Sequence, residues 1–513
     1  MTIRLYNTLA QKLETFEPQV PKTARVYVCG MTTYDLAHAG HGRTYTTFDV
    51  LVRFLKARGY DVTHVRNVTD VDDKILKRAQ ERNVEPTAFS AEMAKQANAD
   101  LEAIGCAPPD VEPRVSGHIP EIIALVEALI EKGAAYVANT PKGKDVYFAV
   151  RSFKDYGKLS HRHLEDLLAG ASERVEVGDI KRDPLDFALW KGEPEDAWGW
   201  PSPWGKGRPG WHIECSAMAQ RYLGEHFDIH CGGMDLVFPH HENEIAQAEA
   251  VWGAPFARYW LHAGFLNVDS EKMSKSLGNF VTIRDVLDRN DPEAFRYYVL
   301  GTHYRGPLSF DVAKKDDGRV IFPGLDEAER RVDYLYTTRD GLQAAVASAP
   351  EPEGQGAAGT RFKNEAKVID EAPEKVLAAL DKDLNTPVAL AEVGELCKVS
   401  NELVKQLAKL KKDPAAQAYA YQLVRKALAS LEAACTPLGL LRATGEDYEQ
   451  RTLARRLRLR GLSATDIGAK VVLRTEARLA KDWKRADEIR AELALLGVEI
   501  LDAGDTSRWR ILV

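Results

Sequence analysis

The sequence predicts an α/β fold with a doubly wound parallel sheet, followed by a helical region and a small C-terminal segment. A β-rich run at residues 24–30 precedes an amphipathic stretch at 44–57 and a second β-rich run at 60–67, and helical periodicity dominates residues 366–440. A strand–helix–strand order is typical of parallel sheets, which bind ligands at the carboxyl ends of their strands. We therefore expect functional residues where strands end.

An insertion at residues 121–204 is predicted to interrupt the sheet domain. A helical pattern covers residues 119–132 and a strand pattern covers 145–150. Residues 190–210 are dense in Trp, Pro and Gly, which breaks both periodicities and predicts a structured loop.

Two later segments look like boundaries. Residues 344–360 have the composition of a flexible linker, and residues 446–450 (EDYEQ) mark the start of the C-terminal segment.

The composition is that of a globular protein, with 45% hydrophobic and 28% charged residues in 513, enough for several domains. The N-terminal run MTIRLYNTLAQKLETF lacks the apolar stretch of a secretory signal, and no run elsewhere is long enough to span a bilayer. We expect a cytoplasmic monomer that does not engage a membrane.

The cysteine pattern excludes a disulfide scaffold and a zinc ribbon, because no Cys-x-x-Cys pair occurs. The six cysteines are Cys29, Cys106, Cys215, Cys231, Cys397 and Cys435. Any metal site must be assembled from distant segments.

The C-terminal segment is basic although the chain is acidic. The net charge is −7, whereas from Arg451 onward there are 14 Lys and Arg against 9 Asp and Glu. This segment is the one best suited to a polyanion.

His38, Gly40 and His41 (HAGH) fall between the first predicted strand and its helix. Free backbone N–H groups and the helix dipole attract phosphate at such a position, and two imidazoles beside it could bind the phosphates of ATP. The tetrapeptide alone could also be incidental.

Lys272, Ser274 and Lys275 belong to the run KMSKS, which places two ammonium groups and two hydroxyls on a short polar loop. Fixed lysines stabilise the charge that develops when the α-phosphate of ATP is attacked. A solvated basic turn is the plain alternative. The occurrence of HAGH about 230 residues earlier favours a nucleotide site.

Four residues of metal-binding types are candidates for one site. Cys29 ends the first strand, Cys215 lies in a mixed run, and His240 and Glu244 are four apart in a predicted helix, so both can reach one ion. His241, three residues before Glu244, satisfies the spacing nearly as well. A buried free cysteine is also a common small hydrophobe.

HAGH and KMSKS, in this order, resemble the two signatures of the class I aminoacyl-tRNA synthetases. Five further segments are similar to the cysteine enzymes of that class: VRNVTDVDDKI (65–75), YGKLSHR (156–162), GRPGWHIECSAM (207–218), FPHHENEIAQ (238–247) and KMSKSLGNF (272–280). The resemblance covers nearly the whole chain. It implies a ligase that activates L-cysteine with ATP, accompanied by Mg²⁺, and transfers it to tRNA(Cys).

The resemblance also implies roles for individual residues. One Zn²⁺ per chain would be bound by Cys29, Cys215, His240 and Glu244. The catalytic groups would be His38, His41, Lys272 and Lys275, with Gly40, Gly233, Asp235 and Ser274 also contacting ATP and with Thr69 and Trp211 lining the amino-acid pocket. An ordinary pocket discriminates between near isosteres such as a thiol and a hydroxyl only about a hundredfold. Zinc binds the thiol far better than the hydroxyl, so we expect no editing domain.

The implied domains extend the predicted fold. They are a Rossmann-like catalytic domain split over 1–120 and 205–265, a connective insertion at 121–204, a KMSKS-bearing stem-contact region at 266–325, an all-α helical bundle at 326–450 and a small α/β anticodon-binding domain at 451–513. In that last domain, Trp483 or Trp509 could stack on an anticodon base.

Two other functions fit part of the sequence. A ligase that joins cysteine to an amino-sugar acceptor shares the catalytic half but lacks the C-terminal domains, and a catalytically silent tRNA-binding or zinc-stabilised scaffold would not need intact HAGH and KMSKS. One departure from the family is Cys231, where a glycine is usual. It is either a competing metal ligand or a small filler of space.

Overall fold

The computed structural model describes residues 2–163, 180–268, 271–272, 280–314, 320–349, 361–410, 412–503 and 506–513. The chain forms two compact units. The first contains Met1–Ile283, Val299–Ser309 and Glu374–Leu390, and the second contains Arg284–Tyr298, Phe310–Pro373 and Ala391–Val513.

A four-stranded parallel sheet lies at the centre of the first unit. Its strands stand in the order Ala257–Ala263, Phe227–Gly233, Thr23–Val28 and Asp61–Arg66. The chain places its second strand on one side of Thr23–Val28 and its third strand on the other, so the strand order reverses there. The predicted α/β class and the predicted strand–helix–strand opening are confirmed. Ligands bind at such a reversal point, outside the carboxyl ends of the strands.

The helix Ala39–Ala57 connects the first two strands of the sheet. It buries Phe48, Leu51 and Leu55, spaced three and four residues apart, and this spacing forms one apolar stripe. The other long helices in the described residues before 283 are Asp73–Glu81, Pro86–Ala103, Ile119–Glu131, Ile213–Leu223 and Glu242–Trp252.

The inserted segment forms an antiparallel sheet of Ala135–Thr140, Gly143–Phe148, Phe187–Gly192 and Gly207–Pro209. The prediction of a loop over 190–210 is wrong at both ends of that range, because Trp190 pairs with Pro209 and is completely buried. Proline is compatible with this pairing because Gly207–Pro209 is an edge strand. The sheet therefore extends past residue 204, and residues 164–179 lie outside the described part of the chain.

Several shorter strands also lie between residues 4 and 321. They are Arg4–Asn7, Lys12–Thr15, Leu266–Val268, Glu271–Lys272, Leu308–Phe310, Ala313–Lys314 and Val320–Ile321.

The described chain is mainly helical after residue 283, as the periodicity predicts. Its helices are Ile283–Leu287, Pro292–Leu300, Pro323–Ala347, Lys363–Leu380, Thr386–Leu407, Pro414–Cys435, Gly445–Arg460, Ala464–Leu479 and Trp483–Leu495, and a hairpin of Val498–Ala503 and Thr506–Ile511 follows. No helix among the described residues is long and apolar enough to cross a membrane.

The two predicted boundaries differ from the structure. Residues 446–450 lie inside the helix Gly445–Arg460, whose first turn is capped by the Thr444 hydroxyl as it accepts the N–H of Asp447 at 3.1 Å. The acidic run is therefore the start of a helix, where negative charge is favourable. Residues 344–347 of the expected linker end the helix Pro323–Ala347, and residues 350–360 lie outside the described residues.

Candidate metal centre and active site

A cavity of about 280 Å³ opens at the carboxyl ends of the central strands. Its wall includes Cys29, directly after Thr23–Val28, and Gly233, the last residue of Phe227–Gly233. The predicted site residues on this wall are Cys29, His38, His41, Thr69, Trp211, Cys215, Gly233, Asp235 and His240. The topology thus brings together side chains from five segments of the sequence.

A second cavity of about 230 Å³ adjoins the first. It reaches from Gly40 to the segment Ala263–Leu266 at the end of the outermost strand. Both cavities are lined by His38, His41, Thr44, Gly233 and Asp235. A ligand that occupies the second cavity can therefore extend past the two histidines into the first, where Cys29 and Cys215 lie.

Four potential metal ligands meet at the base of the first cavity. The ligand atoms of Cys29, Cys215, His240 and Glu244 all lie within 4.8 Å of one another, and all four residues are buried. The Cys29 Sγ lies 3.9 Å from the Cys215 Sγ and 3.5 Å from the Glu244 Oε1, which is itself 3.1 Å from the His240 Nε2. This set could hold a metal ion.

Close backbone packing holds Cys29 in this position. A Cβ atom on the next residue, Gly30, would lie 1.6 Å from the carbonyl oxygen of Asn67. Only glycine allows the two strand ends to approach so closely, and the Asn67 side chain accepts the Gly30 N–H at 2.7 Å.

A second set of four residues has ligand atoms that also lie within 4.8 Å of one another. It consists of Cys29, His230, His241 and Glu244. The two sets differ in access. Cys215 and His240 line the cavity, whereas His230 and His241 do not. A metal ion held by the first set would face a bound substrate, and one held by the second would lie behind it.

The two thiols of the first set share a hydrogen bond. Burial and the hydrogen bond to Cys215 raise the pKa of Cys29 well above its ordinary value. The hydrogen bond from Cys29, with help from His240, lowers the pKa of Cys215 to about 6. Cys215 is therefore a thiolate near neutral pH, and the thiolate is the form that binds metals.

The charge of Glu244 organises the imidazoles around it. Although burial opposes ionisation, His230 and His240 hold the pKa of Glu244 well below its ordinary value. Burial would lower the pKa of His240, but the charges of Glu244 and Cys215 raise it to about 10. A buried cluster that concentrates negative charge in this way favours a cation.

His38 and His41 lie at the start of the helix Ala39–Ala57. The His38 Nδ1 accepts the backbone N–H of His41 at 3.2 Å, and the two rings stack with centroids 3.6 Å apart. Both imidazoles and the N-terminal end of a long helix therefore face the region shared by the two cavities. That end carries partial positive charge and attracts anions.

Trp211 lies beside the potential metal ligands and lines the first cavity. Its ring stacks on His240 with centroids 4.5 Å apart, and 39% of the residue is exposed. It is therefore no core aromatic. The Thr69 hydroxyl donates to Glu214 Oε2 at 2.8 Å and accepts from the Asn67 side chain at 3.2 Å.

Some predicted site residues cannot be placed. The backbone of Lys272 belongs to the strand Glu271–Lys272, but its side chain lies outside the description, as do Ser274 and Lys275 entirely. Cys231 is buried next to Cys29 in the sheet and belongs to neither group of potential metal ligands found among the described residues.

The structure adds residues that the sequence prediction missed. His230 bonds Glu244 Oε2 through its Nε2 at 2.8 Å, and His212 bonds His240 through Nδ1 at 3.0 Å. Glu242 accepts backbone N–H groups from Gly157, Leu159 and Ser160. The only signal in the sequence concerns Glu242, which lies in the His- and Glu-rich run FPHHENEIAQ.

Comparison with known proteins identifies the family. A family profile described as the tRNA synthetases class I (C) catalytic domain matches residues 15–316, and a DALR domain profile matches residues 375–442. A cysteine–tRNA ligase of Anaeromyxobacter sp. (strain Fw109-5) is 44% identical over 516 residues, which cover 100% of both chains.

The chain belongs to the cysteine–tRNA ligase family. It is therefore a ligase of the class I aminoacyl-tRNA synthetases, as the resemblance of its motifs implies.

Other members of the family show the same similarity. The cysteine–tRNA ligase of Geobacter metallireducens is 43% identical with 100% of both chains covered. The chloroplastic/mitochondrial cysteine–tRNA ligase of Arabidopsis thaliana is 43% identical, with 99% of this chain and 86% of that protein covered.

A solved structure shares the fold. Methionyl-tRNA synthetase of Mycobacterium tuberculosis, in complex with methionyl-adenylate, superimposes with a TM-score of 0.63 at 15% identity, covering 86% of this chain and 94% of that one. This similarity concerns the fold alone.

Proposed function

We propose that the chain activates L-cysteine with ATP and transfers it to tRNA(Cys), and that a Zn²⁺ ion bound by Cys29, Cys215, His240 and Glu244 recognises the substrate thiol. One observation carries the proposal: three of these four residues line the same cavity as His38 and His41. Amino-acid recognition and nucleotide chemistry can thus occur in one space.

The donor set fits zinc. Two thiols, an imidazole and a carboxylate are ligands that tetrahedral zinc accepts, and thiolate donors select against Mg²⁺ and Ca²⁺. Zn²⁺, one per chain, would keep a coordinated substrate thiol deprotonated, a form of binding that a serine hydroxyl does not match.

The residues around the amino-acid site are held in place before substrate binds. Thr69 is fixed by Glu214 and Asn67, and Trp211 lies against His240. A preorganised wall loses little conformational entropy when cysteine binds. Trp211 excludes water from the base of the cavity and Thr69 presents its oxygen to the substrate.

The nucleotide would lie along the second cavity, contacting Gly40, Gly233 and Asp235, with its phosphates at His38 and His41. Lys272, Ser274 and Lys275 would complete the phosphate site, and Mg²⁺ would accompany ATP. In the first step the cysteine carboxylate attacks the α-phosphate and pyrophosphate leaves. In the second, a hydroxyl of the terminal tRNA adenosine attacks the carbonyl and AMP leaves. Positioning and charge stabilisation suffice for both steps.

The tRNA assignment is supported by the length of the similarity. Relatives named cysteine–tRNA ligases match over all of this chain, including residues 326–450 and 451–513, which we propose as the helical bundle and the anticodon-binding domain. A ligase for an amino-sugar acceptor would not need these segments. We propose a cytoplasmic location for the same activity.

A charging assay tests the proposal. The zinc-loaded chain with ATP, Mg²⁺ and L-cysteine should aminoacylate total tRNA, and omission of ATP is the control. Cysteine-dependent ATP–pyrophosphate exchange without charging, together with product formation on glucosamine-type acceptors, would favour the amino-sugar ligase. Absence of both exchange and charging would contradict the proposal.

A further inference from the structure

Lys74 is the only lysine or arginine among the described residues that line either cavity. Its Nζ lies 4.9 Å from the centroid of the Tyr34 ring, which also lines the first cavity. Among the described residues no carboxylate forms an ion pair with it. Within the described part of the chain, Lys74 thus brings the only permanent positive charge to the cavity wall, and it lies against an aromatic face.

The acidic residues next to Lys74 are occupied by other groups. Asp73 forms ion pairs with Lys191 at 2.7 Å and with Arg208 at 2.8 Å. Asp72 caps the helix Asp73–Glu81, and one of its oxygens accepts the backbone N–H of Lys74 at 2.8 Å. Neither of these two carboxylates therefore pairs with the Lys74 ammonium group.

The position of Lys74 separates it from the proposed ATP phosphate site. It lines the first cavity, with Thr69 and Tyr34, and it does not line the second, where the nucleotide would lie. The side chain is exposed, which places the charge at the mouth of the cavity. ATP phosphates would be served by His38 and His41 on the shared wall.

The proposed second step brings another anion to this mouth. When the terminal adenosine of the tRNA enters to attack the aminoacyl carbonyl, its backbone phosphate comes with it. An ammonium group at the entrance attracts such a phosphate and fixes the strand.

We propose that Lys74 binds a backbone phosphate at the acceptor end of the tRNA and so acts in transfer more than in activation. This inference rests on the proposed function, and it adds a binding residue for the incoming strand.

Three variants test it: Lys74→Ala, Lys74→Arg and, as a matched control, Lys77→Ala, an exposed lysine on the same helix that does not line the cavity. Cysteine-dependent ATP–pyrophosphate exchange reports activation, and kcat/KM for tRNA reports charging. Lys74→Ala loses one charged hydrogen bond to phosphate, so its kcat/KM for tRNA should fall roughly tenfold. Its rate of pyrophosphate exchange should fall several times less. Lys74→Arg should retain most charging, and Lys77→Ala should match the wild type.

Salt dependence gives a second readout. The slope of log Kd for tRNA against log salt should become shallower by about 0.7 in Lys74→Ala, as expected for one lost phosphate contact on a single strand.

Several results would overturn the inference. They are an equal loss of exchange and charging, a loss of neither, an unchanged salt slope, or the same loss in Lys77→Ala. These outcomes are distinct from failure of the proposed function, in which the wild-type chain itself would show no charging.

Discussion

The Sγ atoms of Cys29 and Cys215 lie 3.9 Å apart, although 186 residues separate them in the chain. Cys29 follows the strand Thr23–Val28 at the reversal point of the sheet, and Cys215 lies in the first turn of the helix Ile213–Leu223. The fold itself thus assembles the candidate metal site beside the cavity.

Cys215→Ser should lower the zinc content from about one ion per chain to a small fraction, because a hydroxyl replaces a thiolate ligand. Metal analysis of purified protein measures this content. Cys231→Ala is the matched control, since it removes a buried thiol of the strand Phe227–Gly233 that belongs to neither group of potential ligands, and it should leave zinc unchanged. Loss of zinc in Cys231→Ala, or its retention in Cys215→Ser, would show that the ligand set is wrong.

His240→Ala and His241→Ala separate the two possible ligand sets. If the metal is held by the set that faces the cavity, His240→Ala should lose zinc. His241→Ala should keep zinc with an affinity reduced by about tenfold, as is typical when a residue that contacts a metal-binding side chain is removed. Competition with a chromophoric chelator measures both affinities. The reverse order would place the metal between Cys29, His230, His241 and Glu244.

Folding stability should fall between pH 6.5 and pH 4 because of His64. Burial and the nearby Arg66 lower the pKa of His64 from 6.5 to about 4, so in this window the unfolded chain binds a proton that the folded chain does not. Stability is full above pH 6.5 and decreases by at most about 3 kcal/mol toward pH 4.

Urea unfolding followed by tryptophan fluorescence measures this dependence. His64→Leu serves as the reference, because it removes the titrating group while keeping an apolar side chain in the strand Asp61–Arg66. The stability of the wild type relative to His64→Leu should decrease as the pH falls from 6.5 to 4. A difference independent of pH would exclude His64 as the source.

Arg456→Met should destabilise the second unit by about 3 kcal/mol, because it leaves a buried carboxylate with fewer partners. Glu329, only 2% exposed, accepts hydrogen bonds from Arg456 and Arg455. Despite its burial, these arginines lower the pKa of Glu329 below its ordinary value. Thermal unfolding gives the change.

The control for this effect is Arg485→Met, which removes an exposed pair with Glu488 and should cost less than about 1 kcal/mol. Equal effects of the two substitutions would contradict the role of the buried pair. Deletion from residue 451 onward would remove both arginine partners of Glu329. Substitution of Lys481 and Lys484 by neutral residues is therefore the cleaner test of tRNA binding by the C-terminal segment.

The sequence predicted the local features of the fold well. Alternation and helical spacing are short-range signals, so the strand–helix–strand opening could be predicted. The helix nevertheless begins at Ala39, five residues before the predicted stretch, so Gly40 and His41 lie in its first turn and not in the preceding loop. The pairing of Trp190 with Pro209 could not, because proline and glycine usually end strands and only the neighbouring strand makes an edge position possible.

The metal site was predictable only in part. The helix predicted to contain His240 and Glu244 contains Glu244 but not His240, which lies in the π-helical turn Val237–His241 directly before the helix Glu242–Trp252. His241 satisfies nearly the same spacing, and the family resemblance made the choice. His230 carries no spacing signal, because it reaches Glu244 from a strand rather than from the same helix.

The charge of the C-terminal segment shows a further limit of sequence reasoning. Its composition suggested a basic surface for a polyanion, yet Arg451 and Arg455 form ion pairs with Asp291, far away in the sequence. Net charge does not reveal which cations are already paired.

ATP–pyrophosphate exchange with L-cysteine and L-serine, on zinc-loaded and metal-stripped protein, tests the central proposal most directly. Recognition of the thiol at the metal predicts that the zinc-loaded chain prefers cysteine over serine by well over the roughly hundredfold that an ordinary pocket achieves, and that removal of zinc abolishes the cysteine-dependent reaction. Comparable rates with serine, or undiminished exchange with cysteine after zinc removal, would contradict it.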